Sequence, residues 1–201
     1  MYTSTGLRYI PNLLTVGRIL ATPLLLLLLT VESQAGQMSA VFLFVLASLS
    51  DYYDGVLARR LGVRSRLGQY LDPLADKILI LGTFTTLALQ APELVPWWAV
   101  TAIALRDIVV TALRSWAEAH GRTLHTYQVA KAKTMVQIAF LFGLLLLRAA
   151  THLSPPFRQG AQWILYESAL PGLALAAVVG FTLATGALYV IAPVEEKLDV
   201  E

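Results

Sequence analysis

The sequence contains no cysteine, and its 201 residues include only three histidines. A disulfide framework and a thiolate metal site are therefore excluded. The histidines lack the spacing of metal ligands, so we expect them to be surface residues. Charge is also scarce, because only 14% of the residues are Asp, Glu, Lys or Arg, whereas 57% are hydrophobic. This balance is typical of a membrane protein rather than of a soluble domain.

Six apolar segments approach the length of about 20 helical residues that a hydrocarbon core of roughly 30 Å requires. They are residues 10–30, 37–59, 72–90, 96–118, 127–149 and 171–193. Short connections such as VESQAGQ and QAPELVP separate most of them, and only residues 150–170 leave room for a longer excursion or an interfacial helix. The sequence therefore predicts one all-α domain over residues 1–201, an integral membrane bundle of six transmembrane helices.

The basic residues predict the orientation of this bundle, because cytoplasmic loops retain Lys and Arg. With a cytoplasmic N-terminus, the opposite loops hold only Arg148 and Arg158, while most other basic residues fall on the cytoplasmic face. We therefore expect both termini in the cytoplasm and the protein in the inner (cytoplasmic) membrane. The acidic C-terminal stretch VEEKLDVE is expected to be solvated, without a role in chemistry.

Four aspartates stand where the second predicted helix ends and the third begins. Asp51 and Asp54 are three residues apart, and Asp72 and Asp76 are four apart, so each pair shares one helix face. The connection between the two helices is short, which predicts antiparallel neighbours. We expect the four carboxylates to converge on one pocket at the cytoplasmic boundary.

Such a cluster repels itself, since two unit charges about 4 Å apart interact with roughly 4 kcal/mol at an effective dielectric near 20. Either some carboxylates are protonated, or cations lie between them, unless all four are simply solvated at the helix ends. Two divalent cations would cancel four negative charges, and an oxygen ligand set favours Mg²⁺, Mn²⁺ or Ca²⁺. The pattern indicates a two-metal site, which in phosphoryl chemistry clamps the attacking and departing oxygens.

Small residues and an arginine accompany the acids. Gly55 and Ala58 follow Asp51 on its side of the helix, so a flat group such as a nucleotide can approach the backbone there. Arg59 can reach a phosphate, for which its forked guanidinium is suited. Gly68 gives freedom to the loop before the second acidic pair.

The full spacing from Asp51 to Asp76, D-x2-D-G-x2-A-R-x8-G-x3-D-x3-D, resembles without a gap the signature of the CDP-alcohol phosphatidyltransferases. The resemblance implies a six-helix membrane enzyme, usually a homodimer, that transfers a substituted phosphate from a CDP-linked donor to an alcohol and releases CMP. It implies two divalent cations, Mg²⁺ or Mn²⁺, with Asp76 also serving as, or near, the general base. The implied metal ligands are Asp51, Asp54, Asp72 and Asp76, and the implied CDP pocket includes Gly55, Ala58, Arg59 and Gly68.

Three further stretches resemble those members of the family whose acceptor is glycerol 3-phosphate. They are PNLLTVGRIL from Pro11, LRDIVVTALRSWAEAHG from Leu105 and AKAKTMVQ from Ala130, and they extend the resemblance over most of residues 8–145. The implied reaction transfers the phosphatidyl group of CDP-diacylglycerol to sn-glycerol 3-phosphate. Inositol phosphate, serine and phosphatidylglycerol stay open as acceptors. The expected partners are these two substrates, the lipid bilayer and a second copy of the chain, with no nucleic acid.

A phosphorylated acceptor needs cationic side chains in addition to the metals. The candidates are Arg106, Arg114, Lys131 and Lys133, since intramembrane or boundary charges usually face a bundle interior. Arg106 lies deep in its predicted helix, where a structural pairing with Asp107 is the alternative role. Lys131 and Lys133 point about 200° apart on a helix, so we expect one of them to contact substrate and favour Lys133.

The first predicted helix carries Asn12, Thr15 and Arg18 near the same boundary. Thr15 and Arg18 share a face, and the family resemblance implies that this face approaches the nucleotide or the metals. The alternative roles are a helix cap and an arginine that snorkels to the interface.

Two other classes of protein deserve comparison with a transferase. A transporter also places acids in membrane helices, but here they cluster at one boundary and no inverted repeat is visible. A non-catalytic membrane scaffold would tolerate the replacement of Asp72 or Asp76 by Asn, whereas an enzyme would not.

Overall fold

The computed structural model describes residues 10–61, 66–120, 122–123, 128–191 and 195–196, with side chains described over 15–50, 74–117, 119–120 and 132–191. Seven α-helices lie in these ranges, six of them long. In chain order they are α1 Ile10–Leu29, α2 Gln34–Leu61, α3 Arg66–Gln90, α4 Trp97–Ala119, α5 Gln128–Ala150, α6 Phe157–Gln162 and α7 Leu170–Ile191.

The six long helices coincide with the six predicted apolar segments. The largest difference is at α3, which begins at Arg66 rather than at residue 72, because the charged and glycine-containing start of this helix carries no apolar periodicity. The predicted excursion over residues 150–170 contains α6 and a π-helical turn, Trp163–Glu167. The all-α class is therefore confirmed for the described residues.

The outside of the bundle is strongly apolar. Leu20, Phe42, Leu89, Ile108 and Leu173 each expose about two thirds of their surface, between 65% and 70%. Soluble monomers rarely expose large contiguous apolar surfaces of this kind. The arrangement is consistent with a helical bundle surrounded by lipid.

Two helices in the described part of the chain are long and apolar enough to cross a membrane, Ala132–Ala150 within α5 and the whole of α7. In α1 and α2 the apolar described stretches are shorter, at Thr15–Leu29 and Gln34–Ser50. The helices α3 and α4 carry several charged residues within their length, which lowers their mean hydropathy.

The packing centres on α1, which lies against both α2 and α3. The helices α2 and α3 also contact each other, as predicted, but each packs far more extensively against α1. The buried core includes Phe44, Phe84, Leu25, Leu141 and Leu145. The helix α5 packs against α2 and α7, so it links the first half of the bundle to the second.

The helices α4 and α7 pack side by side and run in the same direction. Arg106 of α4 contacts Thr182 and Thr185, and Arg114, two turns later, contacts Tyr189. Beyond these helices, the two-residue strands β1 Arg122–Thr123 and β2 Glu195–Glu196 pair antiparallel. The acidic tail, expected to be only solvated, thus supplies a strand that pairs with the segment after α4.

Candidate functional site

The two acidic pairs of the signature fall on α2 and α3. Positions 51 and 54 lie in the C-terminal part of α2, and positions 72 and 76 lie in the first half of α3, so each pair shares a helix face. Asp76 has a described side chain and is half-buried. The predicted convergence of four carboxylates remains a prediction, because the other side chains lie outside the described residues. These are Asp51, Asp54 and Asp72, together with the implied CDP-pocket residues Gly55, Ala58, Arg59 and Gly68.

Asp76 forms part of the wall of a cavity of about 310 Å³ between α3, α4, α5 and α7. The lining contains four basic side chains and two carboxylates, so its formal charge is positive. The lining residues are Asp76, Lys77, Arg106, Asp107, Val110, Thr111, Arg114, Ser115, Lys133, Thr134 and Tyr189. Three of the four predicted phosphate-binding residues are therefore brought together beside the last aspartate of the signature.

One face of α4 supplies much of this lining. Asp107, Val110, Thr111 and Arg114 recur at helical spacing along it. Asp107 and Arg114 are seven residues apart and share this face. The charges of α4 are therefore directed into the bundle rather than toward lipid.

Arg106 is fixed by three hydrogen bonds. Its Nη1 donates to Asp107 Oδ1 at 3.2 Å, so the predicted pairing with Asp107 is observed. Its Nε donates to the carbonyl oxygen of Thr182 at 3.2 Å, and its Nη2 donates to Thr185 Oγ1 at 3.3 Å. The side chain is only 9% exposed. Pairing with Asp107 and lining the cavity are compatible roles for this residue.

Lys133 of α5 reaches the cavity. Its Nζ lies 2.8 Å from Asp107 Oδ1 and 3.0 Å from Oδ2. The position agrees with the preference for Lys133, while the side chain of Lys131 lies outside the described residues. Asp107 therefore contacts two cations from different helices, Arg106 and Lys133.

Tyr189 of α7 contacts two arginines of α4. Its hydroxyl accepts a hydrogen bond from Arg114 Nη2 at 3.1 Å, and the Arg114 Cζ lies 5.5 Å from the ring centroid. The Arg106 Cζ lies 6.0 Å from the same centroid. An aromatic face attracts cations at this distance, so Tyr189 contributes to holding both guanidinium groups at the cavity wall.

Lys77 extends the cationic wall on α3. Its Nζ donates to Thr111 Oγ1 at 2.7 Å, and this hydroxyl in turn donates to the Asp107 carbonyl oxygen at 2.6 Å. Lys77 follows Asp76 directly in the sequence, so a basic and an acidic side chain stand next to each other at the cavity wall.

The candidates on α1 occupy a different place. Thr15 is 1% exposed and Arg18 is 2% exposed, so Arg18 lies inside the bundle and does not snorkel. Neither belongs to the lining of the cavity described above. The side chain of Asn12 lies outside the described residues, and the proposed approach of this helix to a nucleotide is untested.

Sequence reasoning missed the contribution of α7. Thr182, Thr185 and Tyr189 follow one another at intervals of three and four residues in an otherwise apolar helix, and Gly186 lies next to Thr185. That polar stripe, opposite the charges of α4, was the available signal. Lys77 was also missed, because it was counted only as part of the positive charge on the cytoplasmic face.

The chemistry of the donor set fits a divalent cation. The signature supplies only carboxylate oxygens, without sulfur or nitrogen ligands, and this is the set that Mg²⁺ and Mn²⁺ prefer. Asp76 is the one member of the set whose side chain is described, and it shares the cavity wall with basic side chains of the protein. The geometry of a metal site is therefore untested by the described residues.

Comparisons with known proteins agree with the signature. The family model described as CDP-alcohol phosphatidyltransferase matches residues 8–187. A CDP-diacylglycerol--glycerol-3-phosphate 3-phosphatidyltransferase of Yersinia pestis (strain Pestoides F) is 36% identical over 142 residues, which are 68% of this chain and 76% of that protein. A protein of the same description from Cereibacter sphaeroides is 34% identical over 164 residues, covering 80% of this chain and 74% of that protein.

A plant relative shows the same similarity over a shorter share of its length. The chloroplastic/mitochondrial CDP-diacylglycerol--glycerol-3-phosphate 3-phosphatidyltransferase 1 of Arabidopsis thaliana is 36% identical over 144 residues. The match covers 66% of this chain but 49% of the plant protein, about half its length. Since the family model spans nearly the whole described bundle, the chain belongs to the CDP-alcohol phosphatidyltransferase family, and the three relatives named above are of the type named for glycerol 3-phosphate.

Proposed function

We propose that this protein is a phosphatidylglycerophosphate synthase, which transfers the phosphatidyl group from CDP-diacylglycerol to sn-glycerol 3-phosphate and releases CMP. The observation that carries the proposal is the cationic cavity beside Asp76, which suits a small phosphorylated acceptor. The names of the relatives from three organisms support the same acceptor.

The size and charge of the cavity favour a small phosphorylated acceptor over the unphosphorylated and lipid acceptors of the family. A volume of about 310 Å³ corresponds to roughly ten water molecules at about 30 Å³ each, which is ample for a small polar solute. The positive lining favours a phosphate over the zwitterion of serine. Only the headgroup of phosphatidylglycerol could enter the cavity. Inositol phosphate carries a phosphate group like that of glycerol 3-phosphate and is the alternative acceptor.

In this function, Arg106, Arg114 and Lys133 bind the acceptor phosphate, with Lys131 as a further candidate at the start of α5. Arginine offers planar, paired donors to phosphate oxygens, and lysine adds a compact charge. Asp107 keeps Arg106 and Lys133 adjacent before the acceptor arrives. The acceptor is thereby oriented with its free hydroxyl groups toward α3.

Asp76 serves as the general base at the wall of the cavity. It accepts the proton of the glycerol 1-hydroxyl as that oxygen attacks the β-phosphorus of the donor, and the bond to CMP breaks. Two divalent cations, Mg²⁺ or Mn²⁺, held by Asp51, Asp54, Asp72 and Asp76, would supply neutralisation of the diphosphate. The remaining contacts to the CDP moiety are assigned to Gly55, Ala58, Arg59, Gly68, Asn12 and Thr15.

The site belongs at a membrane boundary in this proposal. The six long helices would span the bilayer, with both termini and the cavity mouth at the cytoplasmic face of the inner membrane. The exposed apolar side chains on the outside of the bundle, such as Leu20, Phe42 and Ile108, support this placement. The diacyl chains of the donor can then stay in the bilayer while the soluble acceptor enters from the cytoplasm, and two copies would associate as a homodimer.

The test is product formation by the purified protein in lipid nanodiscs that contain CDP-diacylglycerol. Each acceptor is supplied in turn, with Mg²⁺ or Mn²⁺ and with excess chelator, and the lipid product is identified by mass spectrometry. We expect phosphatidylglycerophosphate and CMP in equal amounts from sn-glycerol 3-phosphate, and no turnover with chelator. Turnover with inositol phosphate alone would refute this acceptor but keep the family, and turnover resistant to chelator would refute the metal assignment.

A further inference from the structure

The helix α7 approaches α4 unusually closely at Arg106. A Cβ atom built at Gly186 would lie 2.8 Å from Arg106 Cγ and 3.2 Å from its Nε. Real side chains do not tolerate the first of these distances, and the clash falls on the stem of the arginine rather than on its flexible tip. Gly186 is therefore the residue that permits the observed position of Arg106.

The same stretch of α7 occupies one edge of the guanidinium group. Nε donates to the Thr182 carbonyl oxygen and Nη2 donates to Thr185 Oγ1, while Nη1 donates to Asp107. A guanidinium has five N–H donors, so three are used within the described residues. Within the described residues, one donor on each terminal nitrogen remains for phosphate oxygens.

The two oxygen atoms of α7 that accept hydrogen bonds from Arg106 are themselves held in place. Thr185 Oγ1 donates to the Thr182 carbonyl oxygen at 2.8 Å, and Gln137 Nε2 of α5 donates to Thr182 Oγ1 at 3.1 Å. Gln137 and Thr182 are fully buried. Gln137 lies four residues after Lys133, on the same face of α5, so the helix that carries Lys133 also holds Thr182, whose carbonyl oxygen accepts a hydrogen bond from Arg106.

We propose that Thr185 and Gly186 are positioning residues which determine the affinity for the acceptor phosphate through Arg106. This inference rests on the proposed function, since it takes Arg106 as a phosphate ligand. Neither residue lines the cavity, so neither can act by touching the acceptor. The hydrogen bonds from α7 hold the Arg106 guanidinium at the cavity wall and limit its rotation, which reduces the entropy lost when the phosphate binds.

The first experiment compares Gly186→Ala with Gly180→Ala by steady-state kinetics in nanodiscs. Gly180 lies in the same helix, and a Cβ atom there would meet nothing within 4 Å. We expect Gly186→Ala to raise the KM for sn-glycerol 3-phosphate at least tenfold, while the KM for CDP-diacylglycerol and kcat change less than about threefold, as loss of uniform binding requires. Gly180→Ala should leave all three values within about twofold of the natural protein.

A second pair of variants keeps the backbone unchanged. Thr185→Val removes the hydroxyl but preserves the shape of the side chain, whereas Thr185→Ser retains the hydroxyl. We expect the valine variant to raise the KM for the acceptor about fivefold to tenfold, less than the loss of a direct hydrogen bond between a charged group and the phosphate would cause, because Thr185 acts through Arg106. The serine variant should restore a value close to that of the natural protein.

The outcomes separate this inference from the proposed function. If the natural protein turns over a different phosphorylated acceptor, the proposed function fails, and the same comparisons are made with that acceptor. The inference is overturned if Gly186→Ala and Thr185→Val match their controls, or if they lower kcat without changing the KM for the acceptor. Should Gly186→Ala not fold, the Thr185 pair alone decides the question.

Discussion

Lys133 and Asp107 form an ion pair that joins α5 to α4 inside the cavity. The lysine Nζ lies 2.8 Å from Oδ1 and 3.0 Å from Oδ2 of the aspartate, and Oδ1 also accepts a hydrogen bond from Arg106 at 3.2 Å. Two neighbouring cations repel each other in a partly buried site. The single carboxylate that contacts both cations offsets this repulsion, so the two basic side chains can stay in the cavity before an anion binds.

Replacement of Lys133 by Gln is expected to raise the KM for sn-glycerol 3-phosphate between about 10-fold and 100-fold. The reason is the loss of a hydrogen bond to a charged group, which contributes about 1.5–3 kcal/mol. Steady-state CMP release with each substrate varied in turn gives the two KM values. Arg158→Gln is the matched control, because Arg158 is an exposed basic residue on α6, away from the cavity. Equal effects of the two substitutions would contradict the assignment of Lys133.

Replacement of Asp107 by Asn is expected to weaken acceptor binding even though it removes a negative charge from the site. The neutral amide no longer holds Arg106 and Lys133 together, so Lys133 loses its fixed position and Arg106 keeps only its hydrogen bonds to α7. We expect a rise of about threefold to tenfold in the KM for the acceptor, with less effect on CDP-diacylglycerol, in line with a modest positioning contribution. A fall in this KM would show that Asp107 chiefly repels the phosphate.

Tyr189 is expected to act mainly through its ring. Tyr189→Phe removes the hydrogen bond from Arg114 Nη2 but keeps the aromatic face near both arginines, so the KM for the acceptor should rise less than about threefold. Tyr189→Leu also removes the cation–π contacts, which contribute about 0.5–2 kcal/mol, and should have a clearly larger effect. Kinetics on both variants, with thermal unfolding to verify the fold, test this order. A larger loss in Tyr189→Phe would refute it.

Asp76→Asn should nearly abolish CMP release without unfolding the protein. General-base catalysis contributes about 10²- to 10⁴-fold in rate, and the amide can neither accept the proton nor bind a cation strongly. Size-exclusion chromatography and thermal unfolding in detergent measure the fold, and a discontinuous assay measures the residual rate. Asp107→Asn serves as the control for removing a carboxylate from the same cavity. Retention of more than a tenth of the rate by Asp76→Asn would exclude its role as the base.

The absence of cysteine makes the membrane orientation directly testable. A single cysteine at the exposed Ser154, between α5 and α6, is expected to react with an impermeant maleimide in intact spheroplasts. A single cysteine at the exposed Ala119, the last residue of α4, should react only after permeabilisation. Labelling of both positions in intact cells, or the reverse pattern, would contradict the proposed orientation.

The six long helices could be predicted from the sequence because each is an apolar run bounded by short polar connections. The start of α3 could not, since its first turns contain Arg66, Gly68 and Asp72, which have no apolar period. Residues 157–167 were predicted only as part of a longer excursion or an interfacial helix, because the segment is too short and too mixed in composition for a period to appear.

The cations of the candidate site were predictable, and their arrangement was not. A charge in an apolar helix, such as Arg106, Arg114 or Lys133, stands out in the sequence because its burial in lipid is costly. Thr182 and Thr185 do not stand out, since a hydroxyl in an apolar helix can bond to its own backbone at little cost. Their importance emerges only when α7 lies against α4.

The central claim is that the cavity between α3, α4, α5 and α7 binds the phosphate of the acceptor. The most direct measurement compares CMP release from CDP-diacylglycerol with sn-glycerol 3-phosphate and with glycerol, in one preparation with saturating Mg²⁺. The two acceptors share the attacking hydroxyl and differ in the phosphate. A rate with sn-glycerol 3-phosphate at least 100-fold above that with glycerol at equal concentration is the expected result, and similar rates with both would contradict the claim.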